Sequence, residues 1–287
     1  MPFASVELTA RIERAEARLI ASATARVRAR GRASAFVREF AGGVACYAEP
    51  DAPLDKVAGA GFAAVPDDVA FAALERAFDD VGCPVRFELA TLADPALAAT
   101  LTRRGYALES FEHVLGIDLP ARDLPAPPAD LTVEPVEPSA FEAWLDVLVT
   151  GFAAPDAQGV GPDETYDDTA LRRIVTDFAG ADGMELFLAR RGGEPVGAGS
   201  MRVAQGLAQL CGSATLAAHR RRGVQTALLS HRLTLAAERG CDLAVVTTQP
   251  GSKSQQNAWR RGFALLYARA VLVRPTASER DEFPRPS

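Results

Sequence analysis

The sequence predicts a mixed α/β protein built from two tandem halves. Three observations carry that reading: an internal repeat, a proline-rich divider between its copies, and apolar patterns that switch between the strand and helix periods. The length of 287 residues, about twice that of an ordinary domain, agrees with it.

Residues 103–108 read Arg-Arg-Gly-Tyr-Ala-Leu and residues 260–265 read Arg-Arg-Gly-Phe-Ala-Leu. Upstream, Gly82-Cys83 and Thr91 mirror Gly240-Cys241 and Thr248, at offsets of 157 or 158 residues. Landmarks recurring in the same order favour duplication over chance. Between the copies lies Pro120-Ala-Arg-Asp-Leu-Pro125-Ala-Pro127-Pro128, four prolines in nine residues. Proline fixes φ and lacks a donor, so this stretch should run extended and exposed. The expected organisation is 1–119, a linker at 120–130, and 131–287.

Composition bounds the function. The chain is 48% apolar and 24% charged, a globular profile. Its 31 Lys+Arg against 37 Asp+Glu leave −6, which argues against a global grip on nucleic acid or an anionic membrane. Seven arginines crowd residues 11–32, but the interleaved Glu13 and Glu16, with no aromatics between, predict a solvated helix face. Met1–Glu7 lacks the basic lead and apolar core of a secretory signal, and no run is long enough to span a bilayer. Cys46, Cys83, Cys211 and Cys241 are scattered, and the histidines are His113, His219 and His231. No metal site is expected from that spacing, and the expected compartment is a reducing cytoplasm.

In the second half, Leu131–Glu134 alternates as a strand does, and Ser139-Ala-Phe-Glu142 is a capping-box pattern opening a helix that Gly151 should end. A second helix is expected from Asp167-Asp168. Met184–Ala189 and Val196–Val203 flank Arg191-Gly192-Gly193-Glu194, a hairpin signal, and Leu207–Thr215 extends the meander. An Ala- and Leu-rich helix follows over Val224–Arg239, closed by Gly240. Leu243–Thr248, Ser252–Arg261 and Phe263–Val273 then read as strand, helix and strand. The order is β-α-α-β-β-β-α-β-α-β.

The chemistry concentrates in the turn His219-Arg220-Arg221-Arg222-Gly223-Val224-Gln225-Thr226. A helix N-terminus presents unsatisfied N–H groups and the positive end of its dipole, and so binds anions. Gly223 lets the backbone approach a ligand, and three arginines add charge. The GxxxxGK[ST] pattern of nucleotide-triphosphate loops and the Rossmann GxGxxG are both absent. Gly197-Ala-Gly199 lies in a hairpin strand, where packing explains it.

Arg220-Arg-Arg-Gly223-Val-Gln225, placed after the meander, resembles the (Arg/Gln)-x-x-Gly-x-(Gly/Ala) signature of the GNAT superfamily of acetyl-CoA-dependent N-acetyltransferases. Gln225 replaces the usual small residue. Asn257 followed by Gly262-Phe263 resembles the later GNAT motif, and the likeness spans about residues 131–275. It implies two tandem GNAT-like domains, each a central mixed, mostly antiparallel sheet flanked by helices. Acetyl-CoA is the implied cosubstrate, without a metal. The resemblance places Thr215, Leu216 and Ala217 on the pantetheine amides and Arg220, Arg221, Arg222, Gly223, Val224, Gln225 and Thr226 on the pyrophosphate, with Asn257 facing the pantetheine arm. The Leu216 N–H is the expected donor to the thioester carbonyl.

Many relatives carry a tyrosine where this chain has Ala258, so Tyr267 is the substitute candidate for general acid, with water as the alternative. The implied acceptor is a small-molecule or peptide amine. No nucleic-acid or membrane partner is expected, and the assembly is either a monomeric pseudo-dimer or a homodimer. Asp156, Asp163, Glu164, Asp167 and Asp168 cluster on the side where relatives bind the acceptor and read first as a solvated loop with negative charge at a helix start, with attraction of a cationic amine as the alternative. Trp144 reads first as core on the apolar stripe of its helix, and Trp144 and Tyr166 are the alternative pocket candidates. A rival reading is a non-catalytic acyl-CoA sensor or interaction module. The first half, with Asp67 and Asp68 where a phosphate loop would open, is expected to be a degenerate copy without an acyl-CoA site.

Overall fold

The computed structural model describes residues 2–154, 160 and 167–277. In chain order its elements are α1 (Val6–Ala29), β1 (Phe36–Phe40), β2 (Gly43–Tyr47), β3 (Lys56–Ala58), α2 (Asp68–Asp79), β4 (Val85–Ala90), α3 (Pro95–Arg103) and β5 (Ala107–Asp118). There follow β6 (Leu131–Pro135), α4 (Phe141–Ala153), α5 (Asp168–Ala179), β7 (Met184–Arg191), β8 (Glu194–Ala204) and β9 (Leu207–Thr215). The chain continues through α6 (Val224–Glu238), β10 (Leu243–Thr248), α7 (Lys253–Trp259) and β11 (Ala264–Arg274). The expected α/β order of the second half is realised.

Two compact units form, one of Ala4–Glu112 with the chain from Tyr267, the other centred on His113–Leu266. The sequence halves at 1–119 and 131–287 are therefore interleaved at their closing strands. The repeat specifies the elements of each half, but not which ladder each closing strand joins.

In the first unit, β1, β2 and β3 pair antiparallel, β3 meets β4 in parallel through Val57 and Phe87, and β4 pairs antiparallel with residues 269–274 of β11. Its core is aromatic: Phe40, Phe71, Phe87 and Tyr106 meet with ring centroids 5.1 to 6.4 Å apart. Glu13 departs from the solvated role expected of it. It is buried, accepting from the Tyr267 hydroxyl and the Arg269 guanidinium, each at 2.7 Å. Period alone put Glu13 on α1; its face turned out to be the inner one. The N-terminus of α2 is closed by the chain itself, because the Asp67 carboxylate accepts from the Ala70 N–H at 2.8 Å.

In the second unit, β6, β7, β8 and β9 form an antiparallel meander, β9 runs parallel to β10, and residues 113–118 of β5 pair antiparallel with β10. Helix α6 lies on this sheet over Phe187, Val196, Met201 and Ala208, while α4 and α5 bury Trp144, Leu148 and Val175 against Leu188 and Ala198. The repeat landmarks occupy equivalent places. Gly82 and Gly240 follow α2 and α6, Gly105 and Gly262 follow α3 and α7, and all four have positive φ as helix-ending glycines do.

Two local expectations are corrected. Ser139 makes no capping bond, because a 3-10 turn at Pro138–Ala140 precedes α4. Gly151 does not end α4 but lies within it, where an added Cβ would come within 2.4 Å of the Ala214 Cβ. Close helix-to-strand approach, not termination, fixes glycine there. Asp167 does cap α5, accepting from the Ala170 N–H. Among the described residues no helix is long and apolar enough to cross a membrane.

Candidate active site

The site begins where two strands part. The parallel β9–β10 ladder holds only from Leu207/Leu243 to Gln209/Val245, although both strands continue. On its other edge β9 stays paired to β8 through a bulge between Cys211 and Ser213. Beyond Gln209 the open edge of β9 faces a cavity of about 770 Å3, lined by residues of β9, β10, α6 and α7 together with Gly151 and Phe152 of α4.

The rim is the arginine-glycine turn. Gly223 has φ of +82° and precedes the first residue of α6, a left-handed conformation that glycine adopts without strain. The first-turn N–H groups of α6, from Val224 to Thr226, have no helical acceptors, and these residues line the cavity. Gly197 allows α6 this close to the sheet, since a Cβ there would lie 2.4 Å from Val224 Cγ1.

The arginines divide the work. Arg221 lines the cavity, whereas Arg222 is exposed outside the lining and its carbonyl accepts from Arg191 at 2.8 Å. Arg220 braces the turn, its Nε donating to the Thr215 carbonyl at 3.2 Å and Nη2 to that of Ala154. Other cations join the wall: Lys253, Arg260 and Arg261, the last donating to Thr226 Oγ1 at 2.7 Å. The repeat already contained Arg260 and Arg261, but their proximity to the turn depends on the α7 packing. Asn257 donates to Gln225 Oε1 at 3.0 Å, so the bulky departure from the signature is held by the later motif.

The expected role of the Leu216 N–H is corrected. That group donates to the Val196 carbonyl at 3.1 Å, extending the β8–β9 ladder. Successive residues of a strand turn their polar groups to opposite edges, so Ser213 and Thr215 present theirs to the open side. Thr215 and Ser213 line the cavity; Leu216 and Ala217 do not. Tyr267 is also absent from the lining. Its hydroxyl is buried on Glu13, and burial pushes its pKa well above the ordinary tyrosine value. Trp144 is 1% exposed and donates to the Gly199 carbonyl at 3.1 Å, a core tryptophan. Asp156, Asp163, Glu164 and Tyr166 lie outside the described residues; Asp167 and Asp168, which are described, open α5.

The site is thus a pair of parting strands over a cavity, with a glycine turn and a helix start on its rim. Residues 148–263 match the model of the acetyltransferase (GNAT) family. The fold is shared with a GCN5-related N-acetyltransferase from Kribbella flavida, at 22% identity and TM-score 0.63, covering 92% of this chain and 97% of that one. A GCN5-related N-acetyltransferase from Sphaerobacter thermophilus aligns at 15% identity and TM-score 0.54, over 72% of this chain and 66% of that one. A tandem GNAT protein from the clavulanic acid biosynthesis pathway aligns at 14% and 0.54, over 72% and 68%. No curated protein matches the sequence.

Proposed function

We propose that the His113–Leu266 unit is an N-acetyltransferase, passing an acetyl group from acetyl-CoA to a primary amine in a ternary complex. The observation that carries this reading is the parting of β9 from β10 over a cavity rimmed by the Gly223 turn. The first-turn N–H groups of α6 receive the pyrophosphate, while Arg221, Lys253, Arg260 and Arg261 supply positive charge to the phosphates. The pantetheine arm lies along the open edge of β9. There the N–H groups of Ser213 and Thr215 replace that of Leu216 as donors to pantetheine and the thioester carbonyl.

The deprotonated amine attacks the carbonyl carbon; a C–N bond forms and the C–S bond breaks. The amine proton leaves to water, and the CoA thiolate is protonated by water rather than by Tyr267. Holding both substrates in one cleft supplies the main acceleration.

The sensor reading has one observation in its favour. None of the described cavity-lining residues is an aspartate, glutamate or tyrosine. Thiol release from acetyl-CoA across a panel of primary amines separates the two. Amine-dependent release supports the transferase, and saturable CoA binding with no stimulated release across the panel supports the sensor.

A further inference from the structure

Arg232 lies on α6 and is 3% exposed, yet it forms part of the cavity wall. Its Nε donates to the Leu228 carbonyl at 3.1 Å, and its Nη1 to those of Ser200 at 2.9 Å and Cys211 at 3.3 Å. Nη2 takes no part in these bonds. Ser200 and Cys211 face each other beside the β8–β9 bulge, so the guanidinium sits where β9 has just left β10. The space above it is kept open by Gly199, whose added Cβ would lie 3.3 Å from Arg232 Cζ and 3.4 Å from Ser213 Oγ.

Among the described residues the charge of this group is not balanced. Carbonyl oxygens satisfy its donors but do not neutralise it, and among the described residues no carboxylate pairs with it. The ionisable neighbour acting on it is the Cys211 thiol, and burial lowers its pKa to about 10, which still leaves it cationic at neutral pH. A buried guanidinium is costly without an anion. The opposite rim of the cavity already carries cations for phosphate. Arg232 follows the start of α6 by eight residues, about 12 Å along the axis. It is therefore a second anion-seeking point, placed at the reacting end of the cleft.

From this we infer that the preferred donor is a CoA thioester of a dicarboxylic acid, its free carboxylate received by Arg232 beside Ser213 and Cys211. The inference rests on the acyl-CoA reading and deepens it. The transfer is balanced as before, C–N forming and C–S breaking, with the distal carboxylate unchanged.

The test is calorimetric titration of the wild-type protein with CoA, acetyl-CoA, succinyl-CoA and the neutral methyl ester of succinyl-CoA. Succinyl-CoA should bind about tenfold more tightly than acetyl-CoA or the ester, as a charge-assisted hydrogen bond requires. Arg232→Met should abolish that preference, leaving succinyl-CoA, acetyl-CoA and the ester bound alike; because Arg232 also holds bulge carbonyls, the wild-type comparison stands alone if the variant fails to fold. Equal affinity for all three thioesters, with CoA still bound, overturns this inference and leaves the acyl-CoA reading intact. So does a carboxylate preference found only in the amine acceptor. Absence of binding by every CoA species overturns the acyl-CoA reading itself.

Discussion

Tyr267 donates its hydroxyl to the Glu13 carboxylate at 2.7 Å, both side chains being buried and Arg269 reaching the same oxygen. The bond belongs to a charged cluster in which Lys56 pairs with Glu88, and Arg269 also reaches Glu112 at 3.2 Å. Burial raises the Glu13 pKa even against the arginine's attraction. The hydroxyl is committed to this buried cluster, and Tyr267 is not among the described residues lining the cavity.

Tyr267→Phe should accordingly lower stability by about 2 kcal/mol, the value of a hydrogen bond to a charged group, and leave amine-dependent thiol release unchanged. Denaturant unfolding and a kinetic assay on the same preparation check both halves. A selective loss of turnover without loss of stability would restore the general-acid role.

Asp55 gives a pH signature in the same unit. It is buried, and desolvation raises its pKa to about 7 although it accepts from the Ala48 N–H at 2.7 Å. The folded state therefore holds this proton after the unfolded chain has released it. Stability contributed by protonated Asp55 is full below about pH 4 and is lost as pH rises toward 7. Relative to Asp55→Asn, the wild type should lose stability across that window in melting curves recorded at several pH values. A constant difference would contradict the assignment.

Much of the second unit was legible because its strands and helices keep their periods. Leu207–Thr215 and Leu243–Thr248 fall where alternation and apolar runs put them, and Gly240 and Gly262 follow their helices as helix-ending glycines do. What was hidden depends on long-range pairing. Leu216 lost its assigned role to Val196, residues 152–213 separate Gly151 from the Ala214 it approaches, and Glu13 meets partners more than 250 residues away. Arg232 reads in sequence as one more polar residue on a helix; only burial over the bulge gives it meaning.

The arginines of the rim should separate in a CoA titration. Arg221→Ala and Arg261→Ala should each weaken binding about tenfold, consistent with loss of a charge-assisted contact. Arg222→Ala should have little effect, since its side chain lies outside the cavity lining. The two weakened variants should also show a shallower salt dependence. Equal losses at all three positions would mean that general surface charge, not the cavity wall, binds the ligand.

Glycine packing makes a steric prediction. Gly197→Ala places a methyl 2.4 Å from Val224 Cγ1, forcing the first turn of α6 off β8. It should cost about 1 to 3 kcal/mol of stability, the range for overpacking, and weaken CoA binding as well. Gly223→Ala adds the strain of a positive φ and a Cβ contact at 3.0 Å to Pro128. Unfolding curves and CoA titrations on both variants would show the coupled losses; intact CoA affinity would detach the helix start from the site.

On the proposed function, the cleft between β9 and β10 binds an acyl-CoA through the start of α6. Calorimetric titration of CoA into the wild-type protein and Gly223→Ala tests it most directly. One-site binding near micromolar, about 8 kcal/mol, is expected, weakened about tenfold by the substitution. No saturable heat with the wild type, or the same affinity in a folded Gly223→Ala protein, would contradict it.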